Sequence, residues 1–179
     1  MERIKLKDKE FQLSIPESRL KEVIKNMADQ INKDLKSEEP PLFLGILNGA
    51  FMFLADLIKE LEIDCEVSFV KLASYQGTSS SGEVKQLIGL NENLSGRNVI
   101  IVEDIVDTGL TMNKIIKQVK GFDPSRVRVA TLLFKPEACR EKVNLDYVGM
   151  EIPNDFIVGY GLDYDGLGRN FKDIYKVVD

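Results

Sequence analysis

Glu103, Asp104 and Asp107 place three carboxylates within five residues, and Thr108, Gly109 and Thr111 follow with two hydroxyls and a glycine. Glycine lets a backbone come close to a phosphate, and hydroxyls donate hydrogen bonds to it. Carboxylates this near would repel a phosphate unless they face something else, such as a sugar's hydroxyls, a divalent cation or an exchangeable proton. A phosphorylated sugar presents all three. Other phosphate signatures are missing: there is no GxxxxGK[ST], and the pairs Gly159/Gly161 and Gly166/Gly168 lack the third glycine of GxGxxG. Taken singly, each acid also has an ordinary reading as a turn or helix N-cap residue.

The elements around this stretch decide where it sits. Val99, Ile100, Ile101 and Val102 run straight into it and have the length and β-branching of a strand buried on both faces. After it, Met112, Ile115, Ile116 and Val119 recur at helical intervals across residues 112–120. The pattern predicts strand, loop and helix, with the acids in the loop at the carboxyl end of a central strand. Ligands of open α/β sheets bind at that edge, and the helix amino terminus adds partial positive charge.

The rest of the chain reads as further βα units. Residues 4–13 alternate weakly and predict one short edge strand. Ser14-Ile15-Pro16-Glu17 reads as a capping box, opening a helix whose apolar face is Leu20, Val23, Ile24, Met27, Ile31 and Leu35. Residues 42–47 predict a strand, Asn48-Gly49 a tight turn and residues 50–61 a helix. Residues 65–72 alternate like a strand, and residues 74–82 break the pattern with small polar side chains that have too little apolar surface to pack. Gly121 should stop the central helix, and Asp123-Pro124 turns the chain into a buried strand at 127–134 that Lys135-Pro136 ends. Residues 147–151 and 156–160 predict two more strands, and Cys139 a place on a short helix.

At 179 residues, 44% hydrophobic and 30% charged, the chain reads as one globular domain able to bury roughly 70% of its unfolded surface. No apolar run approaches the ~20 residues of a membrane span, and Met1-Glu2-Arg3 does not open a signal peptide, so a cytoplasmic protein is expected. Cys65 and Cys139 lack CxxC spacing and should stay reduced. A net charge of −5 argues against a dedicated nucleic-acid surface. The chain has no histidine, which excludes Ser-His-Asp and Cys-His catalysis and HExxH zinc sites. Carboxylates, lysine, backbone amides and a hard metal such as Mg²⁺ remain.

Residues 99–111 resemble the phosphoribosyl-pyrophosphate signature of the type I phosphoribosyltransferases. The motifs Leu47-Asn48-Gly49-Ala50, Lys71-Leu72-Ala73-Ser74-Tyr75, Leu133-Phe134-Lys135 and Phe156-Ile157-Val158-Gly159-Tyr160-Gly161-Leu162-Asp163-Tyr164 narrow the resemblance to the hypoxanthine-guanine phosphoribosyltransferase family. It covers the chain from about Leu42 to the C-terminus.

The resemblance implies an α/β fold with a mainly parallel central sheet flanked by helices: a single domain over 1–179, with a core at about 36–146 and a hood from about 1–15 and 147–179. It implies transfer of phosphoribose from 5-phosphoribosyl-1-pyrophosphate to hypoxanthine or guanine. Asp107 would be the general base. Glu103, Asp104, Asp107, Thr108, Gly109, Leu110 and Thr111 would hold the ribose phosphate, and Leu47, Asn48, Gly49 and Arg169 the pyrophosphate. Leu47-Asn48 would be a non-proline cis peptide, and Asn48 stands where many members carry Lys or Arg. Lys135, Phe156, Ile157 and Asp163 would form the purine site, with Lys135 on the 6-oxo group, Phe156 stacking and Ile157 bonding through its backbone. Ser74 and Tyr75 would hinge a lid that orders only when both substrates are bound. Mg²⁺ would lie on Glu103, Asp104 and Asp163. The implied partners are the two small substrates and further copies of the chain, as a homodimer or homotetramer, with no nucleic acid and no membrane. Two alternatives stand beside this: a xanthine-preferring 6-oxopurine phosphoribosyltransferase, and an RNA-binding, nucleotide-sensing regulator on the same fold, whose mark would be a basic stripe.

Overall fold

The computed structural model describes residues 3–75 and 84–178; the expected lid at 77–82 lies outside the described residues. A six-stranded sheet holds β3 (Leu42–Leu47), β4 (Glu66–Tyr75), β5 (Val84–Ile88), β6 (Asn98–Val106), β7 (Arg126–Phe134) and β8 (Tyr147–Glu151) in the order β5-β4-β3-β6-β7-β8. All its pairings are parallel except β4 with β5. Helices α1 (Glu17–Leu35) and α2 (Phe51–Lys59) cover one face and α3 (Leu110–Lys120) the other.

The continuous apolar run in β6 follows from this layering. Ile100 and Val102 pack toward α1 and α2, whereas Val99 and Ile101 pack toward α3, and all four are fully buried. Each contributes about 1.5–3 kcal/mol by leaving water. On α1 the buried stripe is the expected one with Ala28 added.

A second, antiparallel sheet, ordered β1-β2-β10-β9, joins β1 (Arg3–Leu6), β2 (Lys9–Ile15), β9 (Ile157–Val158) and β10 (Ile174–Val177). Residues 4–13 are therefore a hairpin and not one strand. Its turn at Lys7-Asp8 gives Lys7 a φ of 50, without the glycine or asparagine that usually marks such a turn. β8 pairs with β7, so the hood's sheet takes up the chain at β9 and not at Tyr147. The strand expected at 156–160 shortens to β9.

Several local expectations change. Ser14 and Ile15 belong to β2, and Pro16 caps α1 without a side-chain bond. The Glu17 amide donates instead to Asp173 Oδ1 at 2.7 Å, so the cap comes from the far end of the chain. Gly121 keeps helical dihedrals, and Asp123, with a φ of 56, takes the left-handed position. Cys139 lies in consecutive tight turns, its amide donating to Pro136 O at 3.3 Å, and not on a helix.

At the sheet's opposite edge, Arg128 is 6% exposed and reaches Glu38 through bonds of 2.7 and 3.1 Å, with Asn98 Oδ1 at 2.8 Å. Removing Glu38 leaves a buried guanidinium with Asn98 as its side-chain partner among the described residues. Because the Glu38 side chain is 32% exposed, Glu38→Ala should cost about 1.5 kcal/mol, the low end for a charged hydrogen bond, read by urea unfolding at neutral pH. Hydrogen bonds from Arg128 hold the Glu38 carboxyl below its ordinary value against the opposing effect of burial. The contribution is thus full above the unfolded carboxyl's pKa and fades as pH falls through the lower, folded value. Wild type and variant should converge in acid.

Candidate active site

β6 runs two acids further than the apolar pattern shows. Glu103 and Asp104 are strand residues, with Glu103 in register with Thr131 of β7, and the loop proper starts at Asp107. Asp104 is 7% exposed, and one of its oxygens accepts the Ile105 amide at 2.9 Å. Gly49 lies directly on its carboxylate: a Cβ at that position would stand 1.8 Å from Asp104 Oδ2. The requirement for glycine in the 47–49 turn is therefore a close approach. The Leu47-Asn48 peptide is cis, as expected, and Asn48 is exposed.

Burial pushes the Glu103 carboxyl well above the ordinary range, and the neighbouring Asp104 charge adds to the rise. Asp104 is also raised by burial, although bonds from Glu103 and the Ile105 amide, and the Arg169 charge, work against it. Such a pair favours a positive or proton-donating ligand.

Past the acids, Gly109 caps α3 with a φ of 82 and no side-chain cap bond. Asp107 is therefore not the helix cap that its position allows. α3 begins at Leu110, two residues before the helical pattern shows. The loop is braced from behind: Thr108 O accepts the amides of Arg140 at 3.0 Å and Glu141 at 3.2 Å, and a Cβ on Gly109 would stand 2.4 Å from Glu141 O. Asn113 of α3 ties that brace down through Glu141 Oε2 at 3.1 Å. Neither Asn113 nor Glu141 carries a signal in the sequence, where both read as surface polar residues.

Glu103, Asp104, Asp107, Thr108, Gly109 and Thr111 line a cavity of about 240 Å³, smaller than the ~300–1,000 Å³ typical of drug-sized ligands. Lys135 does not line this cavity but comes beside Asp107, which does, because β6 and β7 run in parallel register and the Lys135 amide donates to Val106 O at 3.0 Å. Its ammonium, with a side chain 8% exposed, lies 3.5 Å from Asp107 Oδ2, whose side chain is 46% exposed.

On the facing side, Arg169 pairs with Asp163 at 2.5 Å and donates to Gly161 O at 2.6 Å, while Asp163 also accepts the Gly166 amide at 2.7 Å. Gly161 backs onto the Gly49 carbonyl, where a Cβ would come within 2.1 Å. Asp163, Arg169, Gly49 and Asp104 thus form one continuous group. Phe156 is 46% exposed, its ring 6.3 Å from Phe11 and 5.8 Å from Tyr164, and Ile157 is buried in the core. Neither lines that cavity. Ser74 and Tyr75 end β4.

Mg²⁺ fits this donor set in a limited way. Glu103 and Asp104 supply adjacent hard oxygens, but among the described residues no group of three or more ligating side chains gathers. That is the situation of an ion held by one or two carboxylates and mainly by substrate oxygens.

The phosphoribosyl transferase domain family matches residues 16–165, and this chain is a phosphoribosyltransferase-family protein. It is 37% identical over 97% of its length to a hypoxanthine-guanine phosphoribosyltransferase of Aquifex aeolicus, covering 98% of that protein. It is 44% identical over 82% of its length to one of Streptococcus pyogenes serotype M3, covering 81%. Among solved structures, the Bacillus anthracis hypoxanthine-guanine phosphoribosyltransferase superposes with a TM-score of 0.85 at 36% identity, covering 93% of this chain and 98% of that one. The Trypanosoma cruzi hypoxanthine phosphoribosyltransferase gives 0.83 at 32%, covering 93% and 95%. The chain belongs to the hypoxanthine-guanine phosphoribosyltransferase family.

Proposed function

We propose that this protein transfers the 5-phosphoribosyl group from 5-phosphoribosyl-1-pyrophosphate to hypoxanthine or guanine, releasing pyrophosphate and the purine nucleotide. The observation that carries the reading is the Asp107–Lys135 pair, 3.5 Å apart, with Asp107 lining the cavity at the start of α3. A 6-oxopurine presents N7 and the 6-oxo group along one edge. A carboxylate can take the N7 proton, and an ammonium, having only donors, matches an oxo group and not an amino group.

The remaining roles follow from position. Amides and hydroxyls at 108–111 hold the 5′-phosphate at the start of α3. Glu103 and Asp104 accept the ribose hydroxyls. The turn at 47–49 and Arg169 bracket the pyrophosphate, and Phe156 and Ile157 form the far wall of the purine site. The sugar passes through an oxocarbenium-like state, as in glycoside cleavage. Glu103 and Asp104, and Asp163 across the site, would each hold Mg²⁺ only together with oxygens of the donor, and the ion would supply charge neutralisation for the leaving pyrophosphate. The assembly is read as a homodimer or homotetramer. A cytoplasmic setting is supported by the free thiols of Cys65 and Cys139.

Initial rates with hypoxanthine, guanine, xanthine and adenine, each with and without Mg²⁺, test the reading. Hypoxanthine and guanine should be used in a Mg²⁺-dependent way and adenine very poorly. Adenine turned over as fast as hypoxanthine would break the link between Lys135 and the 6-oxo group.

A further inference from the structure

Tyr160 lies between Gly159 and Gly161 with a φ of 50, beside glycine φ values of 101 and 96. A bulky residue in left-handed backbone is a costly choice where glycine would be relaxed. Its side chain must therefore supply something that glycine lacks. It is 3% exposed, and its hydroxyl donates to Asp56 Oδ2 on α2 at 2.5 Å. The other Asp56 oxygen pairs with Lys59 at 2.5 Å. Burial pulls the Asp56 carboxyl upward, but bonds from Lys59 and Tyr160 outweigh it and hold it below its ordinary value, so it stands as an ionised acceptor.

This bond joins the two segments on the pyrophosphate side of the site. α2 grows out of the 47–49 turn, with the Ala50 amide on Ile46 O at 3.2 Å and the Leu54 amide on Ala50 O at 2.8 Å. Next to Tyr160, Gly161 abuts the Gly49 carbonyl, and the Gly161 amide donates to Arg169 O at 3.0 Å. Two fixed points, Gly49 before α2 and Asp56 in its second half, thus set how far Arg169 and Asp163 stand from Gly49 and Asp104.

We propose that Tyr160 and Asp56 are positioning residues for the pyrophosphate half of the donor, holding the 159–171 loop against the 47–49 turn at the separation a pyrophosphate group bridges. The inference rests on the phosphoribosyl-transfer reading. Neither side chain touches substrate. Asp107 and Lys135 are carried by β6 and β7, outside this clamp, so the N7 and 6-oxo edge of the purine does not respond to it, whereas Phe156, its ring 5.8 Å from Tyr164 of the clamped loop, makes the purine's far wall respond less than the pyrophosphate side.

Tyr160→Phe keeps the ring and removes the hydroxyl. Asp56→Ala removes the acceptor, and Asp56→Asn keeps an oxygen for the same bond. Calorimetric binding of Mg²⁺-pyrophosphate, with KM for the donor and for hypoxanthine, is measured in each beside wild type. Pyrophosphate binding should weaken roughly tenfold in Tyr160→Phe and Asp56→Ala, with donor KM rising in step, as loss of a bond to a charged group predicts. Hypoxanthine KM should rise clearly less than donor KM, and Asp56→Asn should recover pyrophosphate binding to within about threefold of wild type. Unchanged pyrophosphate affinity in Tyr160→Phe, or equal losses for pyrophosphate and hypoxanthine, overturns the proposal. A wild type that makes no nucleotide defeats the reading of the reaction; an active wild type with an indifferent Tyr160→Phe defeats only this inference.

Discussion

Asp107→Asn should lower kcat by roughly two to four decades, the usual contribution of a positioned acid-base group. The purine must lose a proton as its N9 attacks the sugar, and the chain contains no histidine. Among the carboxylates at the sheet edge, Glu103 and Asp104 lie further back on β6, and Asp104 is covered by Gly49. Asp107 is the half-exposed one, held beside Lys135. Asparagine keeps its size and hydrogen-bonding reach but cannot take the proton. Binding of 5-phosphoribosyl-1-pyrophosphate should change little, because the amides and hydroxyls at 108–111 and the brace at Glu141 are untouched. Glu103→Gln and Asp104→Asn should behave in the opposite way, weakening donor binding more than turnover. Single-turnover rates and donor dissociation constants in the three variants check this. An Asp107→Asn enzyme within about threefold of wild-type kcat, with chemistry rate-limiting, would leave Asp107 as no more than the partner of Lys135.

Lys135→Ala should lower kcat/KM for hypoxanthine and guanine by roughly one to two decades, since a charged hydrogen bond is worth about 1.5–3 kcal/mol. The loss should be similar for both bases, because they share the 6-oxo group. The ammonium is nearly buried and pairs with Asp107, so its removal also frees Asp107 to move. A Lys135→Met variant, which keeps the apolar stem, separates the two effects. If Met restores activity, packing and not donation is what Lys135 provides.

Much of the site was legible because its chemistry sits in one short stretch. Val99 to Val102 announced a strand covered on both faces, and the hydroxyls and glycine behind it announced a phosphate loop. The strand's end was less legible: Glu103 and Asp104 interrupt the apolar pattern, yet parallel pairing with β7 continues through Val106. Asp173 capping α1 and Tyr160 bonding to Asp56 link residues 156 and 104 positions apart, and no local pattern encodes such pairs. The β1–β2 hairpin turns at a lysine, and β8, short and half-polar, gave no sign of which sheet it would join. The glycine at 49 read as an ordinary turn residue, whereas its role is to let Asp104 approach.

Product stoichiometry tests the central claim most directly. With 5-phosphoribosyl-1-pyrophosphate, hypoxanthine and Mg²⁺, wild-type protein should form inosine monophosphate and pyrophosphate in equal amounts, with little free ribose 5-phosphate. Release of pyrophosphate and ribose 5-phosphate without nucleotide would make the protein a hydrolase of the donor and contradict transfer to a purine.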